Sequence, residues 1–231
     1  MYPYAFLIGD LIFLGIWILL FWLRKDLRRE MLAMSIICGA LFPLALIHLA
    51  DYWQPEHIID FFNLHLGIED FLFAFVIGGI GGVLHEALFG QIHKFYPTYF
   101  QKRNLKEMIL LAFFSIFIVL LLTYGFNINS IYSSYVSFLI IFAYIIFFRK
   151  DLFQQAILGG ISVGILMLIF YQIWTKMYPG IIESWWKLEN LSGIFILNVP
   201  LEEILWGFSW GLVGSVIYEF AKGISIKSKN N

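Results

Sequence analysis

Charge is scarce in this chain, and cysteine is nearly missing. Only 13% of the 231 residues are charged, about half the share of a soluble globular domain, which excludes a fold with water on every side. The single cysteine, Cys38, lies inside an apolar run, so disulfides, cysteine-ligated zinc and iron–sulfur clusters are excluded. Basic residues show no excess, with Lys and Arg numbering 15 against 16 Asp and Glu. There is no basic face for phosphate backbones, and nucleic-acid partners are excluded. What is abundant is apolar: 61% of the chain, with 19% aromatic residues including 25 Phe, a composition that rules out disorder. Since a membrane helix takes roughly 20 apolar residues, the length accommodates about seven spans with little outside the bilayer. The fold class that follows is all-α, a polytopic membrane protein.

Apolar runs between polar breaks predict helices at about 3 to 23, 31 to 50, 69 to 89, 108 to 126, 131 to 148, 155 to 174 and 201 to 221. The first run is not a cleavable signal, because Asp10 interrupts its start and the basic cluster follows it. Placing the N-terminus outside puts Arg24, Lys25, Arg28, Arg29, Lys94, Lys102, Arg103, Lys106, Arg149, Lys150, Lys222, Lys227 and Lys229 in the cytoplasm. Only Lys176 and Lys187 are then outside, so the positive-inside rule fixes the expected orientation, with a cytoplasmic C-terminus in the cell membrane.

Two internal matches divide the chain. Arg24-Lys25-Asp26-Leu27 returns as Arg149-Lys150-Asp151-Leu152, and Glu69 to Glu86 matches Glu202 to Glu219 at seven of 18 positions. Helices one to three therefore correspond to helices five to seven, with helix four between them. The expected organisation is seven transmembrane helices in a 3+1+3 parallel repeat. Residues 1–90 form the first repeat, 91–130 a cytoplasmic loop and linking helix, and 131–231 the second repeat and cytoplasmic tail. Parallel copies bring equivalent residues to the same depth, so a functional site is expected to be shared between them.

The repeated helix opens with adjacent carboxylates at its expected outer end, Glu69-Asp70 in one copy and Glu202-Glu203 in the other. Ionisable groups at membrane depth are costly and usually face the bundle interior, so these four are the candidate catalytic residues of a common pocket. Paired acids can divide the roles of proton donor and acceptor. At about 100° per residue, Asp70 and Glu203 fall beside a stripe of small residues, Gly78, Gly81 and Gly82 in one copy and Gly207, Gly211 and Gly214 in the other. Glu69 and Glu202 point elsewhere, and one member of each pair is expected to be buried and the other hydrated. The small residues allow close helix packing.

Glu86 and Glu219, about 25 Å further along, are expected as solvated glutamates near Lys94 or Lys222. His48, Asp51, His57, Asp60 and His65 precede Glu69, but their spacing matches no metal-binding helical motif. The histidines are taken as interfacial residues with loop hydrogen bonds, His57 and His65 as tolerant of replacement, with no metal and no cofactor expected. Tyr52-Trp53, Phe61-Phe62, Trp174, Tyr178 and Trp185-Trp186 fit an aromatic belt at the membrane interface or the lining of a hydrophobic access route.

Pro200-Leu201-Glu202-Glu203 at the head of an apolar aromatic helix, with two helices before it, resembles the membrane lycopene cyclases of carotenoid biosynthesis. That family is built from three-helix repeats and carries a Pro-x-Glu-Glu/Asp motif. Gly67-Ile68-Glu69-Asp70 fits as the sister motif, with Gly67 standing where the family has proline. The resemblance implies an enzyme of the intramolecular lyase or isomerase type that closes the linear ends of a lycopene-like polyene into ionone rings, without net redox change. Its partners would be the carotenoid and membrane lipid, with self-association left open. A carotenoid hydratase on the same fold is an alternative. A small-solute carrier with parallel three-helix repeats is another, opposed by the few polar residues along these helices. A retinal photoreceptor is opposed by the lack of a lysine within the last span.

Overall fold

The structure is a computed structural model that describes residues 2–95, 103 and 105–228; Lys102 and Lys229 of the basic set lie outside the described residues. Helices carry nearly all of the order: α1 (Ala5–Leu23), α2 (Arg28–Ala40), α3 (Ile68–Phe89), α4 (Leu105–Leu120), α5 (Ser130–Phe148), α6 (Phe153–Met177), α7 (Ile181–Trp185), α8 (Leu201–Gly214) and α9 (Ile217–Lys222). Two short antiparallel strand pairs complete it. β1 (Gln91–Phe95) pairs with β4 (Ile224–Ser228), and β2 (Phe195–Ile196) with β3 (Val199–Pro200).

Among the described residues, six segments are long and apolar enough to cross a membrane: Ala5–Leu23, Ile68–Phe89, Leu105–Gly125, Ser130–Phe148, Lys150–Met177 and Leu201–Lys222. Each falls on an expected helix. The expected span 31 to 50 is different, because α2 has 13 residues and stops at Ala40, and the chain continues as the 3-10 helix Phe42–Ile47. Pro43 explains the break, since it has no amide hydrogen to donate and its ring clashes with the preceding helical turn. The two pieces are about 20 Å and about 12 Å long. The last span is also jointed. Ser215 Oγ bonds back to Gly211 O at 2.7 Å, a contact that bends helices, and Val216 has left helical geometry before α9 begins.

The duplication is visible in the packing. In the first copy α2 and α1 both pack on α3; in the second, α6 and α5 both pack on α8. A methyl group on Gly78 would come within 2.5 Å of Cys38 Cβ and 2.9 Å of Met34 O, and one on Gly211 within 2.5 Å of Gly159 O. These two glycines are equivalent in the repeat, and each lets its helix touch its neighbour's backbone. The Arg-Lys-Asp-Leu motif also does the same work twice. Arg24 grips Asp26 through two nitrogens, at 3.0 and 2.7 Å, and reaches the carbonyl of Glu86 at 2.5 Å. Arg149 grips Asp151 at 2.8 and 2.7 Å and reaches the carbonyl of Glu219 at 3.3 Å. Those carbonyls also accept from Gly90 and Gly223, left-handed residues that end α3 and α9. The hydrogen bonds of Asp26 raise the pKa of Arg24 above its ordinary value. Both copies thus run from an acid end, where α3 and α8 begin, to a basic end, where the arginines close them.

Candidate functional site

The acid end is covered by two loops that stitch the copies together. Gln54 N donates to Trp185 O and Lys187 N to Tyr52 O, both at 2.8 Å. Asp51 Oδ2 accepts from Ser130 N at 2.8 Å. Under this cover all four candidate acids are buried, none more than 5% exposed. The expectation of one hydrated member in each pair is therefore corrected: the loops shield Glu69 and Glu202 as fully as the helices shield Asp70 and Glu203.

The two motifs differ in what their first residue can donate. Gly67 has an amide hydrogen, which bonds Asp70 Oδ2 at 2.7 Å and ties that carboxyl to the helix start as in a capping box. The same oxygen takes His57 Nε2 at 2.7 Å. Pro200 has no such hydrogen, and Glu203 turns inward to three donors from elsewhere in the molecule. Its Oε1 accepts from Tyr52 and from Trp186 Nε1, the latter at 2.6 Å, and its Oε2 from Tyr171 at 2.5 Å. The outer members of the pairs hold loops. Glu69 Oε1 takes Ile58 N at 2.9 Å, and Glu202 Oε1 takes Ser192 N at 2.8 Å and Tyr132 at 2.9 Å.

Asp70 and Glu203 both line a cavity of about 1100 Å³ between the copies, while Glu69 and Glu202 do not, so the expectation of one pocket for all four acids is corrected to one motif acid from each copy. The cavity runs toward the basic end, where Tyr218 and Lys222 line it. Its wall near the acids is aromatic: Phe13 lies 4.3 Å from Phe170 and 6.0 Å from Phe73 between ring centroids, and Phe73 lies 5.8 Å from Trp206. A third carboxyl, Asp10, belongs to the same lining. Sequence reasoning used Asp10 only to dismiss a signal peptide, although a lone acid inside an apolar run is itself a mark of function.

Three further expectations change. His57 is buried against Asp70 rather than an interfacial loop residue, and His48 Nδ1 meets Ser130 Oγ at 2.8 Å. His65 is exposed near Asp60 at 3.9 Å, so these histidines have separate partners instead of one centre. Tyr52, Trp174, Trp185 and Trp186 are buried at the acid end, and Tyr52, Trp174 and Trp186 line the cavity, so these rings form an interior lining instead of an outer belt; Phe62 is 90% exposed. Glu86 and Glu219 are fully buried rather than solvated. With Glu30 of α2 they form the one group with metal-ligand spacing among the described residues, their oxygens within 4.8 Å of one another.

The sequence profile of the family described as Lycopene cyclase matches residues 4–88 and again 129–221, most of the chain and one match per copy. Comparisons with curated proteins and with solved structures returned no significant match. The family places the chain among the enzymes of carotenoid biosynthesis, with a carotenoid cyclase-like role in the membrane. On the strength of a profile that fits both copies, the chain belongs to the lycopene cyclase family.

Proposed function

We propose that this protein closes the linear end of a lycopene-like polyene into an ionone ring by acid–base catalysis, with carboxyl groups of the cavity lining moving the protons. A proton added to the terminal double bond leaves a tertiary cation, the neighbouring double bond attacks it to form the ring, and loss of a proton sets the final double bond. Product and substrate are isomers, so the cycle needs neither an oxidant nor a reductant. The observation that carries the reading is the aromatic, largely apolar cavity with one carboxyl from each copy at the same end. The rings of Phe73, Phe170 and Trp206 offer π faces to a cation, worth about 2 kcal/mol each when desolvated. Dryness matters, because water reaching the cation would give an alcohol instead of a ring. In this reading Glu69 and Glu202 take part indirectly, by holding the loops at Ile58 and Ser192 that exclude water.

The test is expression in a bacterium that accumulates lycopene, followed by chromatography and mass spectrometry of the pigments. A cyclic product of unchanged mass supports the proposal. A product heavier by one water supports the hydratase alternative, and unchanged lycopene with the protein present in the membrane overturns both.

A further inference from the structure

Asp10 is the cavity carboxyl that the two motifs do not account for. It lies on α1 between Phe6 and Phe13, is 1% exposed, and lines the cavity with Asp70 and Glu203. Five residues into the helix, it stands about 7.5 Å along α1 from Ala5. Phe6 marks the level above it, 5.5 Å from the ring of His57, and Phe13 the level below, against Phe170 and Phe73. Asp10 therefore sits between the motif acids and the aromatic rings.

Its surroundings differ from those of the other two carboxyls. Glu203 accepts from three donors, and Asp70 Oδ2 accepts from Gly67 N with His57 Nε2 at 2.7 Å beside it. Asp10 Oδ2 is buried with no hydrogen-bond partner, and its electrostatic neighbours include two further acids, Asp70 and Glu69. An isolated charge in such a place is far more costly than a neutral acid. The repeat sharpens the contrast. The copy-two position equivalent to Asp10, at the offset of the Arg-Lys-Asp-Leu motif, is Tyr135, whose hydroxyl is spent on Glu202 O at 2.6 Å. The acid at position 10 is thus specific to one copy and is not needed to build the three-helix unit.

We infer that Asp10 is the proton donor of this cavity, a neutral carboxylic acid that protonates the terminal double bond of the bound polyene, with Glu203 as the acceptor that completes the ring. The inference rests on the proposed cyclisation. In balance, the O–H bond of Asp10 breaks as the π pair of the terminal double bond forms a C–H bond on its CH carbon, leaving the cation on the disubstituted end carbon, and the π pair of the next alkene forms the ring C–C bond to that carbon. Glu203 then takes a ring proton, and that C–H pair becomes the new double bond. The proton gained by Glu203 returns to Asp10, which restores both groups with no net change.

The experiment compares wild type, Asp10→Asn and Asp10→Glu in membranes loaded with lycopene, reading three quantities: conversion to cyclic product, lycopene retained on the purified protein, and the infrared C=O band of protonated carboxyl groups. The expected result for Asp10→Asn is a loss of conversion of about 10²–10⁴-fold, retained lycopene, and loss of one protonated-carboxyl band, with Asp10→Glu recovering part of the activity. Wild-type conversion by Asp10→Asn, or a carboxyl band unchanged by it, overturns the inference. Should Asp10→Asn not accumulate, Asp10→Glu decides alone: a shifted band with conversion supports the donor role, and an unshifted band overturns it. Wild-type protein that binds lycopene and converts none of it, while the band still depends on position 10, overturns the proposed function and not the protonation of Asp10.

Discussion

One backbone hydrogen separates the two copies at the residue scale. Gly67 spends its N–H on Asp70, whereas Pro200 leaves Glu203 free to meet Tyr52, Tyr171 and Trp186. Glu203→Gln keeps the shape but cannot take up a proton, and it is expected to lower conversion by about 10²–10⁴-fold with lycopene still bound, as read by pigment chromatography. His57→Ala leaves the buried Asp70 short of a donor and is expected to cost about 1–3 kcal/mol of stability, seen as a lower melting temperature in detergent. His65→Ala, at a side chain 67% exposed, is the control that should leave it unchanged. The acids themselves were legible because the repeat displays them twice at one helix position. Their donors were not, since Tyr52 lies 151 residues away in sequence and Trp186 in the loop 17 residues before Glu203, where an aromatic residue close to a membrane helix has the pattern of an interface anchor. The burial of Glu86 and Glu219 was hidden for the same reason, being created by contact between copies.

At the scale of elements, hydrophobic length located the six membrane-length segments, because a run of apolar side chains is enough to satisfy a span whatever packs against it. It could not show where a helix is broken inside an apolar run. Pro43 and Ser215 act through backbone geometry, leaving hydropathy untouched, so α2 and α8 end well before the apolar runs at 31 to 50 and 201 to 221 do. The glycine stripe was legible as packing, and the structure shows its extent: Gly211 lies so near Gly159 and Gly160 of α6 that any β-carbon must part the helices. Gly211→Ala is accordingly expected to destabilise by about 1–3 kcal/mol and to widen the cavity wall, measured by thermal unfolding and by loss of retained lycopene. Gly15→Ala, where a β-carbon would meet nothing within 4 Å, should change neither.

For the whole molecule, parallel repeats mean that both motifs begin at one end and both arginine clasps close the other, and this was readable from two sequence matches alone. Which end faces the cytoplasm follows from the distribution of charge. Arg24, Arg28, Arg29, Arg103, Arg149 and Lys150 gather toward the basic end, against Lys176 and Lys187 toward the acid end, and such an excess is retained on the cytoplasmic side. We therefore expect the acid end, with the N-terminus, to face outside. Fusion of an enzyme active only outside the cell tests this: activity is expected after Lys187 and not after Lys106, three helices earlier, and the reverse pattern rejects the orientation. The jointed second element needs its own pair of fusions. Asp26 is clasped by Arg24 at the basic end, whereas Asp60 Oδ1 accepts from Leu66 N beside the α3 start at the acid end. Only α2 and the 3-10 helix Phe42–Ile47 connect them, so fusions after Asp26 and after Asp60 should report opposite sides. Equal activity at both positions would mean that the Pro43 joint turns the chain back without crossing, and the count of seven spans would fall to six.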